Sequence, residues 1–256
     1  MKNLCVIPAR MGSSRFPGKP LEKLLGLELV LHVYERCRLA SNLDRTVIAT
    51  CDGVIRDACE RHGAEVVMTR DDHPGAVDRT AEAVEIVGGE LADDDFVLMV
   101  QGDELLVAPD MIDPVVDAFA ASRAPVVNLA SPILDAASHD DPNVVKVACA
   151  LDGKALFFSR SPIPSRTRVA MPTMLQQTGV IGFSKRFLAT FLALERTPLE
   201  MTEGIDMLRT LEHGYAIQMV AAARPTLGVD TPDQIGKGEA LLRGDPITRL
   251  YMESAA

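Results

Sequence analysis

The sequence lacks paired cysteines, long apolar runs and an excess of positive charge. Its five cysteines are scattered and none forms a Cys-x-x-Cys pair. This spacing predicts neither a zinc site nor a disulfide framework, and it favours buried, reduced thiols. No apolar run approaches the ~20 residues that a membrane span needs. Met1-Lys2-Asn3 leads directly into a short apolar stretch without the apolar core of a signal peptide. We therefore expect a cytoplasmic protein without a membrane span.

The overall charge is acidic, with 26 basic and 36 acidic residues and a formal net charge of -10. This balance argues against a nucleic-acid-binding protein that works through a broad basic surface. It still allows a locally basic pocket for a small anionic substrate. Hydrophobic residues make up 47% of the 256 residues, no internal repeat is present, and the length suits one domain with an inserted lobe.

The first half of the chain alternates short apolar runs with helical patterns. Strands are predicted at 4–7, 46–50, 65–69, 95–100 and 125–129, and helices at 28–40, 54–62, 78–87 and 110–121. Repeated strand-helix units of this length indicate an α/β fold with a parallel sheet and helices on both faces. The loops that follow Ile7, Thr50, Thr69 and Val100 should then converge on one cleft, at the carboxyl ends of the strands.

The second half of the chain follows a different pattern. Asp152-Gly153 stands between two apolar runs, which predicts a β-hairpin. Residues 140–215 are therefore interpreted as an inserted antiparallel lobe within a single domain of residues 1–256. The lobe also holds a predicted strand at 178–183 and predicted helices at 185–194 and 203–213. After a further strand at 216–221, Thr231-Pro232-Asp233-Gln234 predicts a helix start with Thr231 as its N-cap.

A basic loop follows the first predicted strand. Between Pro8 and Pro20 it holds three cations, two glycines and two serines, a composition that suits polyphosphate binding. It is not a P-loop, because five residues separate Gly12 from Gly18 and Pro20 replaces the Ser/Thr that would hold magnesium. It also contains no G-x-G-x-x-G dinucleotide motif. The alternative is a solvated basic loop without a ligand.

Carboxylates are predicted at the same edge of the sheet. Asp103 follows the fourth strand, and Asp230 precedes the helix start near the C-terminus. Two carboxylates together with substrate phosphates and water suit Mg²⁺. The alternatives are a turn residue for Asp103 and a helix-cap acid for Asp230. His73 is interpreted as a polar loop histidine, and Asp78 and Arg79 as an ion pair at a helix start.

Five ordered motifs carry a resemblance to a known family. They are Ile7 to Leu21, Val100 to Glu104, Pro142 to Val147, Phe158 to Arg160, and Gly228 to Pro232. Together these motifs resemble the 3-deoxy-manno-octulosonate (Kdo) cytidylyltransferase family over about residues 3 to 243. Met11 to Arg15 is also similar to spore-coat-type cytidylyltransferases, but the later motifs favour the first family. The resemblance implies a nucleotidyltransferase fold, a homodimer, and an Mg²⁺-dependent transfer of CMP from CTP to an acidic sugar with release of pyrophosphate.

The same resemblance implies roles for individual residues. The implied catalytic residues are Arg10, Lys19 and Asp103, and the implied metal ligands are Asp103 and Asp230. The implied nucleotide-binding residues are Ala9, Arg10, Arg15, Lys19, Arg79 and Gln101. The implied acceptor-binding residues are Gln101, Arg160, Gln177 and Asp206.

Several positions depart from the family pattern. Leu105 replaces the proline that usually ends the Gln-Gly-Asp-Glu-Pro motif, and Gly75 to Arg79 replaces Ser-Gly-Thr-Glu-Arg. In the acceptor pocket, the usual His, Tyr, Glu and Gln are replaced by Gln177, Ile181, Asp206 and Met207. These changes predict an altered pocket that still binds an anion. The alternatives are a different acceptor such as a phosphonate, a different base, and a nucleotide-binding homologue without catalytic activity.

Overall fold

Short strands alternate with helices in the computed structural model, which describes residues 1–12, 15–122, 124–168 and 174–252. Ser13 and Ser14 of the basic loop lie outside the described residues. The strands are β1 (Asn3–Ala9), β2 (Lys23–Leu24), β3 (Leu27–Glu28), β4 (Arg45–Thr50), β5 (Val66–Met68), β6 (Phe96–Val100), β7 (Val126–Ile133), β8 (Lys146–Cys149), β9 (Ala155–Ser159), β10 (Met174–Ser184) and β11 (Ile217–Ala221). The helices are α1 (Leu29–Arg38), α2 (Gly53–Arg61), α3 (Ala76–Val87), α4 (Pro109–Ala121), α5 (Ala136–Asp140), α6 (Lys185–Ala193), α7 (Pro198–Glu203), α8 (Met207–Glu212), α9 (Gln234–Gly244) and α10 (Pro246–Met252), with a 3-10 turn at Lys19–Leu21.

One sheet organises the chain, in the strand order β11-β7-β10-β6-β1-β4-β5. Four of the six neighbouring pairs in this order are parallel, and β10 runs antiparallel to both of its neighbours, β6 and β7. The predicted α/β class with a mostly parallel sheet is therefore confirmed. The predicted lobe is less separate than its pattern indicated, because β10 lies inside the central sheet.

Helices cover both faces of the sheet because the buried strands alternate the direction of their side chains. In β1, Leu4 and Val6 pack into an apolar cluster with α3 and α6, whereas Cys5 and Ile7 pack into a second cluster with α1, α2 and α4. All four side chains are buried, which explains why β1 is apolar from Leu4 onward. The carboxyl end of β1 is thereby fixed between two layers of helices.

The predicted hairpin is confirmed, because β8 and β9 pair antiparallel. Gly153 adopts a φ of +80° in the turn, a value that a side chain would disfavour. The predicted helix at 203–213 is confirmed only from Met207 onward, as α8. Thr197 and Glu200 form a capping box that starts α7 earlier, and Gly204 ends it with a φ of +64° before α8 begins.

The described residues contain no helix that is both long and apolar enough to cross a bilayer. The five cysteines are free thiols. Three of them are buried, namely Cys5, Cys37 and Cys59.

Gly182 lies at a tightly packed position at the centre of the sheet. A Cβ atom there would overlap the ring of Phe96, which is itself fully buried. Gly182→Ala should lower the free energy of unfolding by roughly 1–3 kcal/mol, because the ring has no room to move. Urea unfolding measures this value. Gly236→Ala in the first turn of α9 is the matched control, since its Cβ would meet nothing within 4 Å. An equal loss in both variants would contradict this packing argument.

Candidate active site

The carboxyl ends of β1, β5 and β6 meet at two adjoining cavities. The smaller has a volume of about 310 Å³ and the larger of about 900 Å³. Both are lined by Arg15, Ala76, Gln101 and Asp103, so they meet at the turn after β6. The loop after β4 supports this region from outside, because Asp52 accepts a hydrogen bond of 2.8 Å from the Met11 N–H. The predicted cleft is therefore present, with three of the four loops lining it directly.

The smaller cavity gathers the cations of the basic loop. All six predicted nucleotide-binding residues line it, namely Ala9, Arg10, Arg15, Lys19, Arg79 and Gln101.

Arg79 adds a buried positive charge to this cavity. Its side chain donates to the Thr69 hydroxyl at 2.5 Å and to the Arg70 carbonyl at 3.1 Å. Its Nη2 atom is buried without a hydrogen-bond partner. The predicted ion pair with Asp78 is wrong, because the guanidinium turns toward the β5 loop instead. Within the described chain no carboxylate neutralises Arg79, so its charge favours an anionic or carbonyl-bearing ligand.

An ion cluster joins four separate segments where the two cavities meet. Lys19 Nζ contacts Asp103 Oδ2 directly and lies 3.6 Å from Asp230 Oδ1. Arg15 donates to the same Asp230 oxygen at 2.8 Å and to Asn143 Oδ1 at 3.3 Å. Two carboxylates that are distant in sequence thus converge on one ammonium group. The position of Asn143 in this cluster was not predicted, although it lies within one of the recognised motifs.

The pair of carboxylates fits a divalent cation that is shared with a substrate. Asp103 and Asp230 supply hard oxygen donors within reach of one point, which is the donor type that Mg²⁺ prefers. No group of three or more acidic, His or Cys ligands is found among the described residues. A cation here would consequently need further ligands, such as phosphate oxygens and water.

Backbone pairing fixes the position of both carboxylates. The Val229 N–H donates to the Asp103 carbonyl at 3.0 Å, which ties the turn after β6 to the segment before Asp230. Leu105, the departure from the family proline, is fully buried against Phe16 and Leu242 in a third apolar cluster. It therefore supports the turn through packing.

The helix after Asp230 begins later than predicted. The side chain of Gln234 accepts from the N–H groups of Asp230 and Thr231, as a capping side chain does. However, α9 begins at Gln234 itself, so the predicted start at Pro232 with Thr231 as the N-cap is wrong. The intervening residues form a turn that carries Asp230 to the cavity edge.

The larger cavity is lined by all four predicted acceptor-binding residues, namely Gln101, Arg160, Gln177 and Asp206. Arg160 donates to three backbone carbonyls, those of Glu203 at 2.7 Å, Pro142 at 3.0 Å and Gly204 at 3.4 Å. Neutral carbonyls hold the guanidinium in place without cancelling its charge. Arg160 can therefore bind a carboxylate of a ligand.

Lys146 is a buried residue that supports Arg160 and whose role was not predicted. It is completely inaccessible, and its Nζ donates to the carbonyls of Asp141, Val144 and Arg160. Three hydrogen bonds satisfy every donor of this ammonium group. The loop before β8 and the end of β9 are thereby fixed next to each other.

Asp206 is a partly buried acidic residue that lines the larger cavity together with Arg160. Burial, with a further contribution from Glu200, raises the pKa of Asp206. A Cβ atom on Gly75 would lie 3.0 Å from Asp78 Oδ2 and 3.3 Å from Asp206 Oδ2, so these two carboxylates stand close together. Any side chain at position 75 would crowd them, which accounts for glycine where the family has serine.

Glu104 is a third residue whose role was not predicted. Its side chain is 6% exposed; Oε1 accepts from the Gly179 N–H, and Oε2 is buried without a partner. Burial and the neighbouring Asp103 raise the pKa of Glu104 to about 7. The turn after β6 therefore places two adjacent carboxyl groups in different environments.

Fold and site together define a nucleotidyltransferase, with a cationic cavity joined to a second pocket through paired carboxylates. A family model described as "Cytidylyltransferase" matches residues 4–218. The chain belongs to this cytidylyltransferase family. It is 42% identical over 254 residues to a "3-deoxy-manno-octulosonate cytidylyltransferase" of Syntrophotalea carbinolica, covering 95% of this chain and 100% of that protein. This similarity confirms the resemblance found in the sequence motifs.

Two further comparisons extend this finding. An "8-amino-3,8-dideoxy-manno-octulosonate cytidylyltransferase" of Shewanella frigidimarina is 40% identical over 249 residues, covering 96% of this chain and 100% of that protein. A solved structure of CMP:2-keto-3-deoxy-manno-octonic acid synthetase complexed with CTP superposes with a TM-score of 0.88 at 33% identity, covering 95% of this chain and 99% of that one. The structure of 4-diphosphocytidyl-2C-methyl-D-erythritol synthase, with a TM-score of 0.64 at 16% identity, shares the fold.

The raised pKa of Glu104 predicts a pH-dependent stability. The folded pKa of about 7 exceeds the ordinary value of 4.5, so the folded protein binds this proton more tightly than the unfolded chain. The stabilisation is complete below pH 4.5 and is lost as the pH rises through 7, by roughly 3 kcal/mol in all. Glu104→Gln should flatten this dependence in thermal melts recorded between pH 5 and 8 in chelator-treated buffer. The same slope in both proteins would refute the assignment to Glu104.

Proposed function

We propose that this chain transfers CMP from CTP to Kdo or a closely related 3-deoxy-octulosonate, with Mg²⁺, and releases pyrophosphate. The observation that carries the proposal is the meeting of the two cavities at Gln101 and Asp103. On one side stand the loop cations that suit a triphosphate. On the other stands Arg160, whose charge no described carboxylate neutralises.

The residues of the smaller cavity would hold and orient the nucleotide. Arg10, Arg15 and Lys19 suit the triphosphate, and Arg79 brings a buried donor to the same cavity. Negative charge grows on the leaving pyrophosphate as the bond to the α-phosphorus breaks, and fixed cations stabilise it there. No protein nucleophile is required, because the sugar hydroxyl itself attacks the phosphorus.

Asp103 and Asp230 would hold Mg²⁺ between the two ligands. Such an ion would supply charge neutralisation at the phosphate oxygens and would lower the pKa of a coordinated hydroxyl. Lys19 contacts both carboxylates and would contribute its charge to the phosphates of a bound nucleotide. Arg160 would hold the acceptor carboxylate and so orient the sugar toward the α-phosphorus.

A second acceptor class is favoured by one observation. Asp206 lines the larger cavity and Asp78 stands close to it, so a protonated amine would be stabilised there. The amino-sugar acid named for the Shewanella relative combines such an amine with a carboxylate.

The experiment is an acceptor screen with CTP and Mg²⁺, in which pyrophosphate release is measured. Kdo, its 8-amino analogue, other sugar acids and phosphonates are compared. A thermal-shift competition among the four nucleoside triphosphates tests the base preference. Absence of pyrophosphate with every acid would count against the proposal and favour a nucleotide-binding homologue without catalysis.

Asp103→Asn should abolish most turnover and leave CTP binding measurable. The amide keeps the shape but loses the charge that attracts Mg²⁺, so we expect a fall in kcat of at least ~10²-fold. Asp57→Asn on the exposed face of α2 is the matched control. Unchanged turnover, or an equal loss of binding and turnover, would exclude the role assigned to Asp103.

We also propose that the chain forms a homodimer through its hairpin. Leu156 on β9 and Leu151 at the turn are exposed, and β9 is a sheet edge that pairs with β8 alone among the named strands. Apolar edge strands in soluble proteins are normally covered. Light scattering should give the mass of a dimer for the wild type and of a monomer for Leu156→Lys, whereas Val54→Lys on α2 should remain dimeric. A monomeric wild type would disprove this assembly.

A further inference from the structure

A wide bulge in β10 borders the larger cavity. Gln177 pairs with Ala130 of β7, and Ile181 pairs with Asn128. Three residues of β10, from 178 to 180, therefore oppose Leu129 alone. Bulges of this kind redirect side chains beside active sites, and they leave backbone groups without their usual ladder partners.

The Asn128 side chain replaces those missing partners. It is completely buried, and its Nδ2 donates to the carbonyls of Thr178 at 3.1 Å and Val180 at 2.9 Å. Carbonyl oxygens only accept hydrogen bonds, so this amide can face the bulge in just one orientation. The Oδ1 atom of Asn128 is consequently directed away from these two carbonyls.

That oxygen in turn orients Gln177. Asn128 Oδ1 accepts from Gln177 Nε2 at 2.9 Å, so the nitrogen end of the glutamine amide is bound. The oxygen end, Oε1, has no hydrogen-bond donor within the described chain, and Gln177 lines the acceptor cavity. We propose that Asn128 is a positioning residue that makes Gln177 present its carbonyl oxygen to the acceptor, so that this point of the pocket selects a hydrogen-bond donor.

The inference rests on the proposed function, because it assigns part of the acceptor's recognition. The donor is a hydroxyl or a protonated amine of the sugar and not its carboxylate, which belongs at Arg160. A buried acceptor that loses its donor discriminates strongly, since the ligand without that group leaves the oxygen unpaired.

Hydrogen bonds from the turn after β6 hold the opposite side of the bulge. They restrain the backbone of β10 and so keep Gln177 in one position. The Gln101 N–H donates to the Gly179 carbonyl at 2.9 Å, and Glu104 accepts from the Gly179 N–H. A Cβ atom on Gly179 would lie 2.7 Å from the Gln101 side chain. The bulge therefore has one backbone arrangement, set from β7 on one side and from the turn after β6 on the other.

The test compares Kdo, its 8-amino analogue and a series of analogues that each lack one hydroxyl, using wild type, Gln177→Met, Asn128→Ala and the double variant. Wild type should discriminate against one deoxy analogue by roughly tenfold or more in kcat/KM. Both single variants should raise the acceptor KM about tenfold, remove that discrimination and leave the KM for CTP unchanged. The double variant should be no worse than Gln177→Met, because Asn128 acts through Gln177.

Gln218→Met is the matched control, since the Nε2 atom of this glutamine is likewise a hydrogen-bond donor, to the backbone carbonyls of Asp152 and Met219, but Gln218 lies outside both cavities. Additive effects in the double variant would show that Asn128 has a purely structural role. A fall in kcat together with a rise in both KM values would show the same. If Asn128→Ala does not fold, the test uses the kcat/KM values of Gln177→Met with the analogues that lack one hydroxyl. Discrimination equal to that of wild type would then overturn the inference. Where the discriminated position is the one that carries the amine in the 8-amino analogue, a higher kcat/KM for that analogue identifies an ammonium donor. Equal kcat/KM values for Kdo and the 8-amino analogue identify a hydroxyl donor.

A measurement without substrate separates this inference from the proposed function. In wild type the Gln177 side-chain amide protons should exchange slowly with solvent in NMR spectra, and in Asn128→Ala they should exchange rapidly. Rapid exchange in wild type rejects the positioning role. Slow exchange together with no turnover of any acid sugar rejects the proposed acceptor class and leaves the Asn128–Gln177 pairing intact.

Discussion

The ion cluster of Lys19, Asp103 and Asp230 is the interaction on which the site depends. Without a compensating cation, two carboxylates from distant segments would repel each other across the cavity floor. The ammonium group holds them at one point and ties the basic loop to the sheet edge. Lys19 is mostly buried, so water screens the cluster weakly and its geometry is better defined than that of a surface pair. The same geometry positions the cations and the candidate metal ligands.

Prediction succeeded where local pattern determines structure. The continuous apolar run of β1 and the turn at Gly153 each describe one element and its surroundings, and both are confirmed. Prediction failed where the local structure depends on residues that are distant in the sequence. The motif around Asp78 and Arg79 could not reveal that Thr69 attracts the guanidinium, and the pattern of 203–213 concealed the break at Gly204.

The place of β10 in the sheet illustrates a deeper limit. Its residues have an ordinary strand pattern, which says nothing about which strands will flank it. The bulge that shapes the acceptor cavity depends on Asn128 and Glu104, which approach β10 from opposite sides. Neither side chain has an unusual local sequence. Their importance follows from unpaired backbone groups at residues 178–180, and those exist only once three strands are assembled.

The two cavities differ in the charges that line them, although both lie in an acidic protein. A triphosphate needs concentrated positive charge, and the loop cations with Arg79 provide it without neutralising partners of their own apart from the shared carboxylates. The acceptor cavity is different, because Arg160 lines it together with Asp206, and Asp78 stands close to Asp206. A ligand that is anionic throughout would meet repulsion there. A ligand with one carboxylate and hydrogen-bond donors elsewhere would satisfy Arg160, Asp206 and the free oxygen of Gln177 together, so the proposed selectivity of this pocket would come from the arrangement of charge.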